Sequence, residues 1–98
     1  MDKASVIAKL RHHEPELKAA GIVSLSLFGS VARGDDSAQS NVDLMADFDP
    51  TREFSLLDRV HLENRLADIL GVPVDLAPTK SLKETVRERA TREAVLAF

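Results

Sequence analysis

Hydrophobic and polar residues follow two spacings along this 98-residue chain, one typical of helices and one typical of strands. Apolar residues three and four positions apart predict a helix over residues 3–12. Pro15 suits a first helical turn, so a second short helix is expected from Glu14 to Ala20, with Gly21 as its natural stop. The alternating, β-branched run from Ile22 to Phe28 predicts the first strand.

A second strand is predicted after a short helical turn over residues 30–34 and a polar loop, DDSAQS. Apolar and polar residues alternate from Asn41 to Phe48, which indicates a strand with one face toward the core and one toward a site. Ser55 is a good N-cap for a helix from Leu56 to Leu70.

The last part of the chain predicts one more strand and one more helix. Gly71 stops the preceding helix, and the run Val72 to Leu76 reads as a third strand, with Pro73 indicating an edge or strand-start position. Ser81 followed by Glu84 has the spacing of a capping box. A terminal helix is therefore expected, with an apolar residue at every fourth position: Leu82, Val86, Ala90 and Ala94.

This order of elements predicts a single α/β domain over residues 1–98, with helices packed on a short sheet. Hydrophobic residues make up 44% of the chain and charged residues 30%, which is typical of a globular fold. No apolar run is long enough to span a bilayer, and the N-terminus lacks the apolar core of a signal peptide. The absence of cysteine excludes disulfides and thiolate metal sites, and a cytoplasmic location fits.

The charge pattern leaves two interpretations open. Residues 34–51 contain five aspartates and no lysine or arginine, whereas the segment from Lys80 onward is richer in basic residues. This distribution fits a cation site facing a wall that binds a polyanion, and it also fits ordinary solvated surface. The net charge of −3 and the four phenylalanines as the only aromatic type argue against direct nucleic-acid binding.

Gly29, Ser30 and Arg33 are candidate phosphate-binding residues. Glycine lets a backbone approach a ligand closely, and amides at the start of a helix favour anions. The Ser30 hydroxyl can donate to a phosphate oxygen, and the Arg33 guanidinium can chelate a phosphate. Each residue alone is also common in a plain turn or on an ordinary surface.

Asn41, Asp43 and Asp75 are candidate metal-binding residues. Side chains at positions 41 and 43 share one strand face. Asp75 interrupts the apolar third strand, where it could supply another carboxylate or serve in structural hydrogen bonding. Magnesium prefers hard oxygen ligands and usually completes its shell with water and substrate phosphates. Paired ions about 3.5–4 Å apart can stabilise both the attacking and the leaving oxygens. The histidines, His12, His13 and His61, have no partner at metal-ligand spacing and are expected at the surface.

The combination FGSVARG, ten residues, SNVDL and the later VPVDL resembles the minimal nucleotidyltransferase (MNT) domains of the DNA polymerase β superfamily. The resemblance covers nearly the whole chain. It implies a small polymerase β-like fold with a short mixed sheet of about three to four strands. It also matches Gly29 and Ser30 to the phosphate-contacting turn, Arg33 to the following A-R-G element, and Asp43 and Asp75 to the second and third metal-binding carboxylates.

The resemblance further implies an activity and a partner. The family transfers a nucleoside monophosphate from an NTP to an acceptor and releases pyrophosphate, with ATP as the expected donor and two Mg²⁺ ions in an active form. MNT domains are often antitoxins encoded beside a HEPN-domain ribonuclease toxin, and some add AMP to that toxin. A hetero-complex or an oligomer is therefore expected.

Asn41 departs from the family pattern, because it occupies the position of the first metal-binding aspartate. Three explanations remain open: a deliberate substitution that traps a substrate complex or abolishes catalysis, a natural degeneration that leaves a binding protein, or replacement of the missing acid by Asp35, Asp36 or Asp47. Asp47 is a poor replacement because it lies about 20 Å along an extended strand. The chain is accordingly either a nucleotidyltransferase acting on a protein partner, an antitoxin or scaffold that acts by complex formation, or a nucleotide-binding domain without an antitoxin role.

Overall fold

A computed structural model of the chain describes residues 2–32, 41–81, 88 and 92–98. The helices assigned within these ranges are α1 (Lys3–His12), α2 (Glu14–Ala19), α3 (Gly29–Ala32) and α4 (Leu56–Leu70). The strands are β1 (Ile22–Phe28), β2 (Val42–Phe48), β3 (Val74–Pro78) and β4 (Val95–Leu96), and a 3₁₀ turn, Thr79–Ser81, follows β3.

The four strands form one mixed sheet in the order β3-β2-β1-β4. β1 runs antiparallel to both β2 and β4, whereas β2 and β3 are parallel. Parallel neighbours need a crossover connection, and α4 supplies it between β2 and β3. The expected α/β fold with a short mixed sheet is confirmed.

The core lies between the sheet and helices α1, α2 and α4. The apolar positions of these elements form one buried cluster, whose fully buried large members include Leu10, Leu17, Leu25, Leu27, Leu44, Leu66 and Leu70. Strand residues alternate between this core and the opposite face, so the polar residues of β1, β2 and β3 share the other face. Among the described residues, no helix combines the length and apolarity needed to cross a membrane.

Helix α4 begins and ends where local sequence signals place it. Ser55 accepts a hydrogen bond from the backbone N–H of Asp58, and the Asp58 carboxylate accepts one from the Ser55 N–H, which completes a capping box. These bonds hold the pKa of Asp58 below its usual value. Gly71 ends the helix in the left-handed conformation, with φ of 75°. Two apolar residues of the predicted helix, Leu56 and Val60, are exposed rather than packed in the core.

The second helix, the second strand and the third strand have boundaries that differ from their predictions by one or two residues. The second helix ends at Ala19, and the second strand begins at Val42 rather than Asn41. The third strand is Val74–Pro78 rather than residues 72–76, because its parallel register begins where Val42 pairs with Val74. The Val42 N–H donates to the Pro73 carbonyl just before that pair.

The predicted terminal helix is only partly testable, since residues 82–87 and 89–91 lie outside the described ranges. Its last predicted member, Ala94, is not helical, because the chain leaves the helix to form β4. In β4, Val95 pairs with Leu27 and Leu96 pairs with Ser26 of β1. This strand was missed by the sequence analysis, and it adds an edge to the sheet beside β1.

Candidate functional site

The candidate site begins where β1 turns directly into α3. Gly29 has φ of 78°, a left-handed conformation that favours glycine. A Cβ atom at this position would collide with the Asp43 carboxylate and would lie 3.1 Å from Asp43 Cγ. Gly29 therefore does two things: it permits the turn, and it leaves room for the Asp43 side chain beside the turn.

Asp43 and Asp75 lie side by side on neighbouring parallel strands. Their Cα atoms are register partners between β2 and β3, and Asp43 also pairs with Phe28 at the end of β1. Neighbouring strands are about 4.8 Å apart, and paired residues present their side chains on the same face. Asp43 is half-buried and Asp75 is exposed, so the two carboxylates form a pair that opens toward solvent.

Asn41 joins this pair through its side-chain amide. The amide nitrogen Nδ2 donates a hydrogen bond to Asp75 Oδ2 over 3.2 Å. An ionised aspartate at position 41 could not form this contact, because a carboxylate only accepts hydrogen bonds. Asn41, which departs from the family pattern, therefore belongs to the cluster. It contacts Asp75, the residue that the family resemblance matches to the third carboxylate.

The other predicted site residues are distributed as follows. Ser30 belongs to α3 directly after Gly29, and Arg33 lies outside the described residues, as do Asp35 and Asp36. Asp47 accepts a hydrogen bond from Ser24 at 2.8 Å, well along β2 from position 41. This placement agrees with the expectation that Asp47 does not replace the missing acid.

The chemistry of the cluster suits one divalent cation bound together with phosphate. Within the described ranges, no three histidine, aspartate or glutamate side chains gather closely enough to hold a metal ion. Asp43 and Asp75 nevertheless offer four carboxylate oxygens from two paired positions. Magnesium is commonly held by one or two carboxylates plus substrate phosphates, so this pair fits an ion delivered with a nucleotide.

Two features of the site were not predicted from the sequence. The packing of Asp43 against Gly29 and the Asn41–Asp75 hydrogen bond both depend on how three strands align. The chain also carries cavities of about 270, 290 and 350 Å³ that share Phe54 in their linings. These cavities lie toward the opposite end of β2, and the nearest strand residue in their linings, Ala46, is three residues or about 10 Å along the strand from Asp43, so they are separate from the acid pair.

Comparison with known proteins places this geometry in context. Residues 10–97 match the family model described as a nucleotidyltransferase domain. The protein adenylyltransferase MntA of Thermococcus cleftensis is 37% identical over 87 residues, which cover 88% of this chain and 86% of that protein.

Two solved structures superimpose on this chain over nearly its whole length. A protein assigned by inference as a minimal nucleotidyltransferase superimposes with a TM-score of 0.80 at 35% identity, covering 97% of this chain and 95% of the other. A toxin–antitoxin crystal structure with AMP-PNP superimposes with a TM-score of 0.71 at 20% identity, covering 100% of this chain and 73% of the other. At that identity, the second match establishes a shared fold and nothing further.

Proposed function

This chain belongs to the nucleotidyltransferase domain family, and we propose that it binds Mg·ATP and transfers AMP to a protein partner. The observation that carries the proposal is the pairing of Asp43 with Asp75 beside the Gly29 turn. The similarity to a relative named as a protein adenylyltransferase supports AMP as the transferred group and a protein as the acceptor.

Each residue of the cluster has a proposed role in this reaction. Asp43 and Asp75 would hold the Mg²⁺, which when bound supplies positive charge to the phosphates and to the departing pyrophosphate. Gly29 lets the backbone lie close to Asp43, so phosphates bound at the turn would lie near the ion that Asp43 holds. Ser30 and Arg33 are proposed phosphate contacts on the strength of their positions in the sequence.

In the proposed reaction, a hydroxyl oxygen of the partner attacks the α-phosphorus of ATP. A new bond forms between that oxygen and the α-phosphorus, while the bond from the α-phosphorus to the bridging oxygen of the β-phosphate breaks. Pyrophosphate leaves with the electron pair, and the hydroxyl proton passes to a carboxylate. Asp75 is the proposed acceptor of that proton, because it is the more exposed member of the acid pair.

The proposed partner is a HEPN-domain toxin, with this chain as the antitoxin. The family resemblance of FGSVARG, SNVDL and VPVDL implies this pairing. A toxin–antitoxin crystal structure with AMP-PNP contains the same fold, so the fold is compatible with a partner and a nucleotide of this kind.

The direct test is transfer of label from ATP. The chain is incubated with Mg²⁺, ATP labelled at the α-phosphate and the product of the neighbouring gene, and the same reaction is run with Asn41→Asp. Label on the partner in at least the Asn41→Asp reaction is expected. If neither protein transfers label although the partner binds, the transferase proposal fails.

A second candidate function is favoured by the Asn41–Asp75 hydrogen bond. An amide in place of a ligating carboxylate removes one negative charge from the cluster, and this favours an antitoxin that neutralises by complex formation alone. This candidate predicts toxin neutralisation without nucleotide by the wild-type chain. A requirement for ATP and for a carboxylate at position 41 would rule it out.

A further inference from the structure

We propose that Asn41 takes the place of one cation at this site, so that the chain binds its nucleotide with a single divalent ion. The inference rests on the proposed binding of Mg·ATP and concerns how many ions accompany it. Its basis is the hydrogen bond from Asn41 Nδ2 to Asp75 Oδ2, which links the residue before β2 to the member of the acid pair that lies on β3.

One side of the Asp75 carboxylate faces the Asn41 amide. The N–H groups of the amide carry partial positive charge, and one of them donates to Oδ2. A cation bound to that oxygen from the same side would lie against these hydrogens, so it must displace the amide before it can bind. The amide therefore replaces a cation at this point, because its partial positive charge stabilises Asp75 Oδ2 as a bound cation would.

Asn41 also limits the negative charge that is available to hold ions. Asp43 and Asp75 together bring two negative charges, and Asn41 brings none. One divalent ion is matched by these two charges, while a second ion would depend on the nucleotide phosphates and a neutral amide oxygen. Loss of supporting metal interactions commonly costs about 10–100-fold in metal affinity, so the second ion should bind at least about 10-fold more weakly than to a carboxylate at position 41.

The Asn41–Asp75 hydrogen bond also affects the protein when no metal is bound. An aspartate at position 41 would place a third carboxylate beside Asp75 and remove the only donor that the structure shows on that oxygen within the described residues. The three carboxylates of such a cluster would repel one another in the absence of bound cations. With asparagine, the Asp75 side chain accepts a hydrogen bond before any ion binds, so the melting temperature of the wild-type protein should depend less on divalent metal than that of Asn41→Asp.

The test counts ions directly with Mn²⁺ as the probe. Free Mn²⁺ is measured by electron paramagnetic resonance during titration of the chain saturated with AMP-PNP, and Asn41→Asp and Asn41→Ala are titrated in the same way. One bound Mn²⁺ per chain is expected for the wild type and for Asn41→Ala. Asn41→Asp should bind a second ion at least about 10-fold more tightly than either of them.

Asn64→Asp is the matched control. Asn64 is the other asparagine of the chain, it is exposed on α4, and the same chemical change there adds the same charge away from the site. This control should keep one Mn²⁺ per chain. In EDTA, the melting temperature of Asn41→Asp should fall below that of Asn64→Asp and should recover when Mn²⁺ is added.

The outcomes separate the two proposals. Two Mn²⁺ ions bound by the wild type with the affinity seen in Asn41→Asp would overturn the single-ion inference while leaving nucleotide binding intact. An Asn41→Asp protein that gains no ion would overturn it as well. Failure of both the wild type and Asn41→Asp to bind AMP-PNP with Mn²⁺ at millimolar concentrations would instead refute the proposed function.

Discussion

Replacing Gly29 by alanine tests whether the turn after β1 and the Asp43 carboxylate form one unit. The change imposes a left-handed conformation on a residue with a side chain, at a φ of 78°. That conformation costs about 1–2 kcal/mol. Turning the carboxylate of Asp43 away would relieve its contact with the new methyl group but would leave Asp43 Cβ only 3.2 Å from it.

The crowding adds to the backbone cost. Overpacking typically costs about 1–3 kcal/mol, so Gly29→Ala should lower the free energy of unfolding by about 2–5 kcal/mol in total. The displaced carboxylate should also weaken binding of Mg²⁺ with AMP-PNP by about 10-fold or more. Urea unfolding followed by circular dichroism measures the first effect, and titration calorimetry measures the second.

Gly71→Ala supplies a control with nearly the same backbone strain and no crowding. Gly71 has φ of 75°, and a Cβ atom there would meet nothing within 4 Å. This variant should lose only about 1–2 kcal/mol and keep its nucleotide affinity. Equal losses of stability in the two variants, together with unchanged affinity in Gly29→Ala, would refute the coupling between the turn and Asp43.

Other predictions concern the stability of the fold. Ser55→Ala removes the side-chain cap of α4 and should cost about 1 kcal/mol in urea unfolding, and an unchanged midpoint would contradict the cap. Leu25→Ala should cost about 2–5 kcal/mol because this side chain is 0% exposed, whereas Leu57→Ala, at 63% exposure, should change stability by less than about 0.5 kcal/mol. Hydrogen bonds from Arg65 lower the pKa of Glu16, so the pair stabilises the fold at neutral pH, and this stabilisation is lost as the pH falls through the lowered pKa. The stability difference between the wild type and Glu16→Gln should therefore shrink in acid, and a difference that persists at pH 2 would contradict this assignment.

Features set by neighbouring residues in the chain were predicted well from the sequence. The bounds of β1 and α4 match their predictions, because alternation, the Ser55 cap and the Gly71 stop all act within a few residues. The start of β3 was misplaced because its register is set by β2, a partner more than 30 residues away. β4 was missed because two residues are too few to show a period, and backbone pairing with β1 defines them.

In the candidate site, too, features set by nearby residues were predicted from the sequence, whereas features set by distant residues were not. The two-residue spacing of Asn41 and Asp43 predicts a shared face, since side chains alternate along a strand. The meeting of Asp43 with Asp75 depends on the parallel pairing of β2 and β3, which composition and spacing alone do not specify. The hydrogen bond from Asn41 to Asp75 depends in addition on the conformations of the two side chains, so only the structure shows it.

The most direct test of the account is to locate the bound nucleotide. Amide signals of the ¹⁵N-labelled chain are recorded with AMP-PNP and trace Mn²⁺, with Mg²⁺ as the diamagnetic reference. We expect the amides of Gly29, Asp43 and Asp75 to broaden first, because the ion should lie between the acid pair and the turn. Broadening centred on Phe54, at the far end of β2, with Gly29 unaffected, would contradict the central claim.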